Sequence, residues 1–129
     1  MNHIVTWFEI PVTDMARAKA FYGNLLDIPM IDESMSTPDG STYDMSILAG
    51  GEGKVTGMLV KGKGYAPAID GAVIYLNGGS DIDARLATAL TTGAELLMPK
   101  TGVDGGEKGY FCQFRDTEGN RVGLYSAPM

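Results

Sequence analysis

The most chemically suggestive side chain in this sequence is a carboxylate, Glu9, set within the otherwise apolar run at residues 7–12. Alternation along a strand places Phe8 and Ile10 on one face, and Trp7 and Glu9 on the other. A carboxylate that shares a buried face with a tryptophan needs a hydrogen-bonding partner, a counter-ion or a ligand. A desolvated Glu9 is also a candidate general base.

Two structural roles compete with that chemical interpretation. Trp7 fills internal volume in one of them, as large aromatic side chains commonly do. In the other, Glu9 forms an ion pair with Arg121 or another basic group, a bridge of little net stabilising value. The sequence leaves both roles open beside the ligand-binding and catalytic ones.

A second group of candidates lies in residues 110–115, Tyr-Phe-Cys-Gln-Phe-Arg. Alternation pairs Cys112 with Phe114, and this apolar pair is expected to face a helix, with Cys112 as an unreactive core residue. Phe111 and Gln113 then share the opposite face. A glutamine in an apolar strand suggests a lined cavity, although Gln113 could instead bond the backbone of a sheet edge.

In the strand at residues 121–126, alternation places Arg121 and Tyr125 on the same face as Gly123. Aromatic walls with a few convergent polar groups are typical of a small-molecule pocket. The predicted ligand-binding residues are therefore Trp7, Glu9, Phe111, Gln113, Arg121 and Tyr125.

Composition narrows the choice of partner. The 129 residues carry 16 acidic and 10 basic side chains, for a net charge of −6, which argues against nucleic acid or an anionic membrane surface. No apolar run approaches the ~20 residues that span a bilayer. The single cysteine excludes an internal disulfide and fits a reducing cytoplasm. With one histidine as well, a zinc site built only from these two residue types is impossible within one chain.

The order of predicted elements repeats along the chain. Strands are predicted at 4–10, 28–36, 42–48, 55–60, 71–77, 94–98, 110–115 and 121–126. A helix capped by Thr13 or Asp14 runs to about Leu26, and a second begins at a Ser80 cap and stops at Gly93. Residues 100–109 are predicted to form a polar loop. Each half thus contains a strand, a helix and three strands: module 1 at 1–62, a linker at 61–69, and module 2 at 70–129, within one domain.

Each predicted helix carries an apolar stripe at the spacing of a buried face. The first stripe comprises Met15, Ala18, Tyr22 and Leu25, and the second comprises Ile82, Leu86, Ala89 and Leu90.

Three segments give this repeat a family resemblance: "VTDMARAKAFYGNLLDI", "DIDA" and "FRDTEGNRVGLYS". Together they resemble the vicinal oxygen chelate superfamily, which includes glyoxalase I, bleomycin-resistance proteins and extradiol dioxygenases. The resemblance implies an α+β fold of two βαβββ modules, forming a curved mixed sheet with helices outside and a cup inside. It also implies a homodimer, since two-fold dimers often complete the cup in short members.

The same resemblance implies a divalent metal held by side chains on four strands. The first ligand position falls on Trp7 and the last on Gly123, and neither residue can ligate. No Asp, Glu or His lies between Lys54 and Lys63, or between Gly71 and Asn77. A catalytic site of this kind needs three or four protein ligands, so we expect no metal and no other cofactor. His3 and Glu9 share a face with Trp7, but a histidine so near the terminus is more often solvated.

Three functions follow from these observations. The first is a metal-free binding protein that holds a small, partly apolar or cationic molecule in the cup. The second is a metal-independent lyase or isomerase with Glu9 as its general base. The third is a metal-dependent lactoylglutathione lyase, which the substituted ligand positions make the least favoured.

Overall fold

The structure is a computed structural model that describes residues 3–50 and 53–128. Its first module comprises β1 (Trp7–Pro11), α1 (Met15–Leu26), β2 (Met30–Ser36), β3 (Thr42–Leu48) and β4 (Thr56–Lys61). Its second comprises β5 (Ile74–Asn77), α2 (Ile82–Thr91), β6 (Glu95–Gly102), β7 (Tyr110–Arg115) and β8 (Arg121–Ser126). A short 3-10 turn, Val103–Gly106, joins β6 to β7. The predicted α+β class with two βαβββ modules is confirmed.

Each module has its own four-stranded mixed sheet. The strand orders are β1-β4-β3-β2 and β5-β8-β7-β6. Strand β1 pairs with β4 in parallel, and β5 pairs with β8 in parallel. The chain divides into two compact units between Pro67 and Ala68. Helix α1 packs on β3 and β4, and α2 packs on β6, β7 and β8. One face of each sheet is therefore covered by its own helix. The organisation of both modules into one domain stays a prediction.

Helix α1 begins where the sequence predicts. The Asp14 carboxylate accepts a hydrogen bond from the Arg17 backbone N–H at 3.0 Å, which satisfies one of the unpaired donors of the first turn. The buried stripe consists of Ala18, Phe21, Tyr22 and Leu25. Met15, predicted to be buried with them, is only half-buried.

Helix α2 corrects two details. Its cap is Asp81, whose carboxylate accepts from the Ala84 N–H at 3.1 Å, and not Ser80. Asp81 stands directly before the first helical residue, so its carboxylate can reach the N–H three positions on, as an N-cap side chain does. Leu90, predicted in the buried stripe, is 39 % exposed, so the buried face of α2 is narrower than predicted. No described helix is long and apolar enough to cross a membrane.

Several strand boundaries also differ from the prediction. Strand β1 begins at Trp7 rather than Ile4, which is 92 % exposed. Strand β6 continues through Pro99 to Gly102, so the predicted loop at 100–109 begins later. Pro99 is tolerated because β6 lies at a sheet edge, and the pairing with β7 shifts register around it.

The turn between β7 and β8 is held by one buried carboxylate. Oδ1 of Asp116 accepts hydrogen bonds from the backbone N–H groups of Glu118, Gly119 and Asn120 at 2.8–2.9 Å. Its Oδ2 accepts from the Asn120 side chain, whose own oxygen accepts from the Ala68 N–H. The turn thus fixes the register of β7 against β8, and with it the residues that share the exposed face of that sheet.

Candidate functional site

Strand β1 carries the carboxylate on the face of its sheet away from α1. Ile10 is buried on the helix side at 2 % exposure, and Glu9 is half-buried on the other side. The Tyr65 hydroxyl, from the segment after β4, donates a hydrogen bond to Glu9 Oε1 at 2.6 Å. This bond to the carboxylate, followed by burial, raises the pKa of the Tyr65 hydroxyl. The Tyr65 ring also packs edge-on against Tyr43, at 5.9 Å between centroids.

Trp7 lies on the same strand face as Glu9 and is 42 % exposed. A ring that fills closed internal volume would be buried, so this exposure disfavours the space-filling role. The Glu9 carboxylate has a neutral partner, Tyr65, while Arg121 donates from Nε to the Ile69 carbonyl and from Nη1 to Gln113. Each of these charged groups is therefore hydrogen-bonded inside its own compact unit.

A cavity of about 660 Å³ opens on the second module. Three aromatic side chains, Tyr75, Phe111 and Tyr125, form much of its wall. The rings of Tyr75 and Phe111 meet edge to face, with 6.1 Å between their centroids. A cavity of this size with aromatic walls is within the range of small-molecule sites. The remaining lining residues are Leu76, Asn77, Val103 and Ala127.

A chain of hydrogen bonds runs across three strands beside this cavity. Arg121 Nη1 donates to Gln113 Oε1 at 2.7 Å, and Gln113 Nε2 donates to the Tyr75 hydroxyl oxygen at 2.6 Å. Gln113 therefore bonds two side chains, not the backbone of a sheet edge. The Tyr125 hydroxyl donates to the Lys108 carbonyl at 2.6 Å, which ties the cavity wall to the segment after the 3-10 turn.

The predicted last metal-ligand position is occupied by the ring of a neighbour. Gly123 pairs directly with Tyr75 across β5 and β8, and the Tyr75 ring lies over the glycine. A Cβ at residue 123 would collide with that ring. Any liganding side chain here would have to displace Tyr75, so the residues present do not fit a metal of the kind the resemblance implies.

The arrangement of the acidic, histidine and cysteine side chains also does not fit a metal site. Within residues 3–50 and 53–128, no three of them come close enough together to hold a metal ion. Cys112 is fully buried among core residues, and burial raises the pKa of its thiol, so the thiolate that would bind a metal is disfavoured.

The structure distributes the six predicted site residues over two sheets. Trp7 and Glu9 lie on the first, and the other four lie on the second. Phe111 and Tyr125 line the cavity. Gln113 bonds the Tyr75 hydroxyl, and Arg121 bonds Gln113.

Two residues of the candidate site were not among the predicted site residues. Tyr75 carried a usable signal, because alternation in the predicted strand at 71–77 separates it from Ile74 and Leu76. Tyr65 carried none, since it lies outside any strand and reaches Glu9 from 56 residues away.

Residues 1–124 match the model of the Glyoxalase/Bleomycin resistance protein/Dioxygenase superfamily. This match spans most of the chain, so the chain belongs to that superfamily. A comparison with curated proteins finds no match.

Solved structures share the fold at low sequence identity. A glyoxalase family protein from Bacillus cereus has a TM-score of 0.76 at 14% identity, over 97% of this chain and 94% of its own. The fosfomycin resistance protein FosX from Listeria monocytogenes has a TM-score of 0.65 at 17% identity, over 98% and 94%. Glyoxalase I from Zea mays scores 0.61 at 20% identity, and 94% of this chain aligns with 45% of it.

Proposed function

We propose that this protein binds a small, partly apolar molecule without a metal ion, in the aromatic cavity of the second module. The observation that carries the proposal is the cavity beside Gly123, where Tyr75 occupies the place of the last metal-ligand position. That position carries no ligating side chain, and the cavity beside it has aromatic walls with polar groups at its margin.

The cavity walls suit a flat or compact apolar body. Phe111 and Tyr125 pair across β7 and β8, and Tyr75 meets Phe111 edge to face, so a ligand ring has several faces and edges to contact. Burial of apolar ligand surface against these rings would supply most of the affinity. Proteins similar to this chain include a fosfomycin resistance protein, which supports a role in handling a small molecule.

Thermal-shift screening of the metal-free protein against small aromatic compounds tests the proposal. We expect at least one compound to raise the melting temperature, and Phe111→Ala to reduce that rise because it removes a cavity wall. The matched control is Tyr110→Ala, the preceding residue on β7, which points to the opposite face of the sheet. Failure of every compound to stabilise the metal-free protein, or an equal loss in both variants, would contradict the proposal.

A metal-independent lyase or isomerase with Glu9 as general base is the second candidate. It is favoured by one contact, since the 2.6 Å hydrogen bond from Tyr65 holds the half-buried carboxylate in a fixed position. The expected signature is a pH-dependent activity on an activated carbonyl compound, lost in Glu9→Gln with folding intact. Activity that survives Glu9→Gln would remove this candidate.

We also propose a homodimer located in the cytoplasm. Three apolar side chains, Trp7, Ile31 and Met35, are 42–53 % exposed on the face of the first sheet opposite α1, which favours a covering partner. Light scattering coupled to size-exclusion chromatography measures the oligomeric state, and a monomer at micromolar concentration would contradict the dimer. The buried, unpaired Cys112 is consistent with a reducing compartment.

A further inference from the structure

The direction of the hydrogen bonds beside the cavity has a consequence for the ligand. A guanidinium group only donates hydrogen bonds. The Arg121 Nη1 group lies 2.7 Å from one end of the Gln113 side chain, so that end must be the amide oxygen. The Arg121 position is itself fixed by a second bond, from Nε to the Ile69 carbonyl at 3.2 Å. The orientation of the Gln113 amide is therefore determined by its neighbour.

With its oxygen turned to Arg121, the Gln113 amide presents its NH₂ group to Tyr75. That group only donates, so the Tyr75 hydroxyl oxygen must accept the bond at 2.6 Å. A tyrosine hydroxyl has one hydrogen to donate in addition to accepting. Within the described residues, the Tyr75 hydroxyl makes no other hydrogen bond, so its hydrogen remains available to a ligand.

We propose that Tyr75 presents a hydrogen-bond donor to the cavity, and that the ligand carries an acceptor group, a carbonyl or a carboxylate, on an apolar body. This inference rests on the proposed binding function and specifies its ligand class. The Arg121 charge polarises the amide, and the amide in turn polarises the Tyr75 hydroxyl, so each bond in the chain strengthens the next. A cationic ligand would instead meet a donor and a nearby guanidinium.

The position of Tyr75 supports a binding role over a purely structural one. Its ring is 43 % exposed and lines the cavity, while its hydroxyl is held from behind by Gln113. The ring lies against Gly123, and the absence of a side chain there allows this close approach. The hydroxyl is thus placed by the sheet before any ligand arrives, and a preorganised donor loses little freedom on binding.

Three probes of similar size separate the possibilities. Acetophenone carries only an acceptor, phenylacetate carries a charged acceptor, and phenethylammonium carries only donors. Isothermal titration of the metal-free protein with each probe gives its affinity, and we expect both acceptor probes to bind more tightly than phenethylammonium. Tyr75→Phe should weaken acetophenone about three- to tenfold and phenylacetate about tenfold or more, because charged acceptors form the stronger bonds. Phenethylammonium should be unaffected.

Gln113→Glu tests the direction of the bonds while Tyr75 stays in place. The new carboxylate can only accept, so the Tyr75 hydroxyl must turn its hydrogen toward it and away from the cavity. We expect acetophenone, which is neutral and insensitive to the added charge, to weaken about as much as in Tyr75→Phe. Tyr110→Phe is the matched control, since it removes a hydroxyl from the other face of the same sheet and should leave all three affinities unchanged.

The failures of the two proposals are distinguishable. If no probe binds the wild-type protein, the proposed binding function and the inference fall together. If the acceptor probes bind and Phe111→Ala weakens them, but Tyr75→Phe and Gln113→Glu do not, the cavity function stands and the donor role of Tyr75 is overturned. Tighter binding of phenethylammonium than of either acceptor probe overturns the inferred ligand class.

Discussion

The first and second modules follow the same order of strands and helix, yet they treat the sheet face away from the helix differently. In the first module, the Glu9 carboxylate on that face is held by Tyr65, a residue from outside the sheet. In the second, the polar groups are linked to one another across strands and stand beside an aromatic cavity. A repeated fold therefore fixes where side chains are displayed without fixing what they do.

The pairing of the parallel strands locates the divergence. Glu9 pairs with Met58 in the first sheet, and Tyr75 pairs with Gly123 in the second. Met58 covers its part of the face with a long side chain and is 8 % exposed. Gly123 has no side chain, so the Tyr75 ring lies over it and its hydroxyl meets Gln113. Tyr75 can take its position because its cross-strand partner, Gly123, has no side chain, whereas the partner of Glu9 is the bulky Met58.

The largest expected effect is the loss of stability on removing Asp116, one of two aspartates that hold hairpin turns. Asp116→Ala should lower the free energy of unfolding by about 3 kcal/mol, because it removes the carboxylate that accepts from three backbone N–H groups, of which the Asn120 N–H is buried. Asp39 caps the exposed turn between β2 and β3 by accepting from Thr37 and Ser41. Asp39→Ala should have a clearly smaller effect.

Denaturant unfolding of both variants measures this difference. Equal destabilisation would contradict the expectation that the second module depends more strongly on its hairpin carboxylate.

A smaller effect is expected from one methyl group in the second sheet. Gly123→Ala places a Cβ against the Tyr75 ring, so the ring must move and its bond to Gln113 is disturbed. Since Tyr75 is partly exposed and can swing outward, we expect a loss of about 1–2 kcal/mol in unfolding free energy. Gly71→Ala is the control, because the new methyl would meet only Ala68 at an ordinary 3.8 Å. Thermal unfolding compares the stability of the two variants. A Gly123→Ala variant as stable as the wild type would contradict the close packing of Tyr75 on Gly123.

The fold, and the residues that share a face within each strand, could largely be predicted from the sequence because both depend on local patterns. Alternation is a local property of a strand, so it grouped Phe111 with Gln113, and Arg121 with Tyr125, without any knowledge of tertiary contacts. Helix caps are equally local, and the error at Ser80 amounted to one residue.

The bonding partners could not be read in this way. Which donor reaches Glu9 depends on the path of the segment that carries Tyr65, and no periodic pattern encodes that path. The continuation of β6 through Pro99 was missed for a similar reason, because a proline ends a strand only where its missing N–H would be needed.

The smallest expected effect is a shift in one titration. The hydrogen bond to Glu9 raises the Tyr65 pKa above its usual value of 10.0, so the folded state holds that proton more tightly than the unfolded state. The resulting stabilisation is complete below the unfolded pKa and is lost as the pH rises through the higher folded pKa. Ultraviolet titration should show one tyrosine ionising late in the wild type and at a lower pH in Glu9→Gln. An unchanged profile would mean that the bond does not persist in solution.

The central claim is that the second module binds a small apolar molecule without a metal, and chemical-shift mapping of the metal-free protein tests it most directly. On titration with phenylacetate, we expect saturable shifts at Tyr75, Phe111 and Tyr125, with no change on adding zinc or nickel. Shifts confined to Trp7 and Glu9 on the first sheet, or shifts that appear only after metal is added, would contradict it.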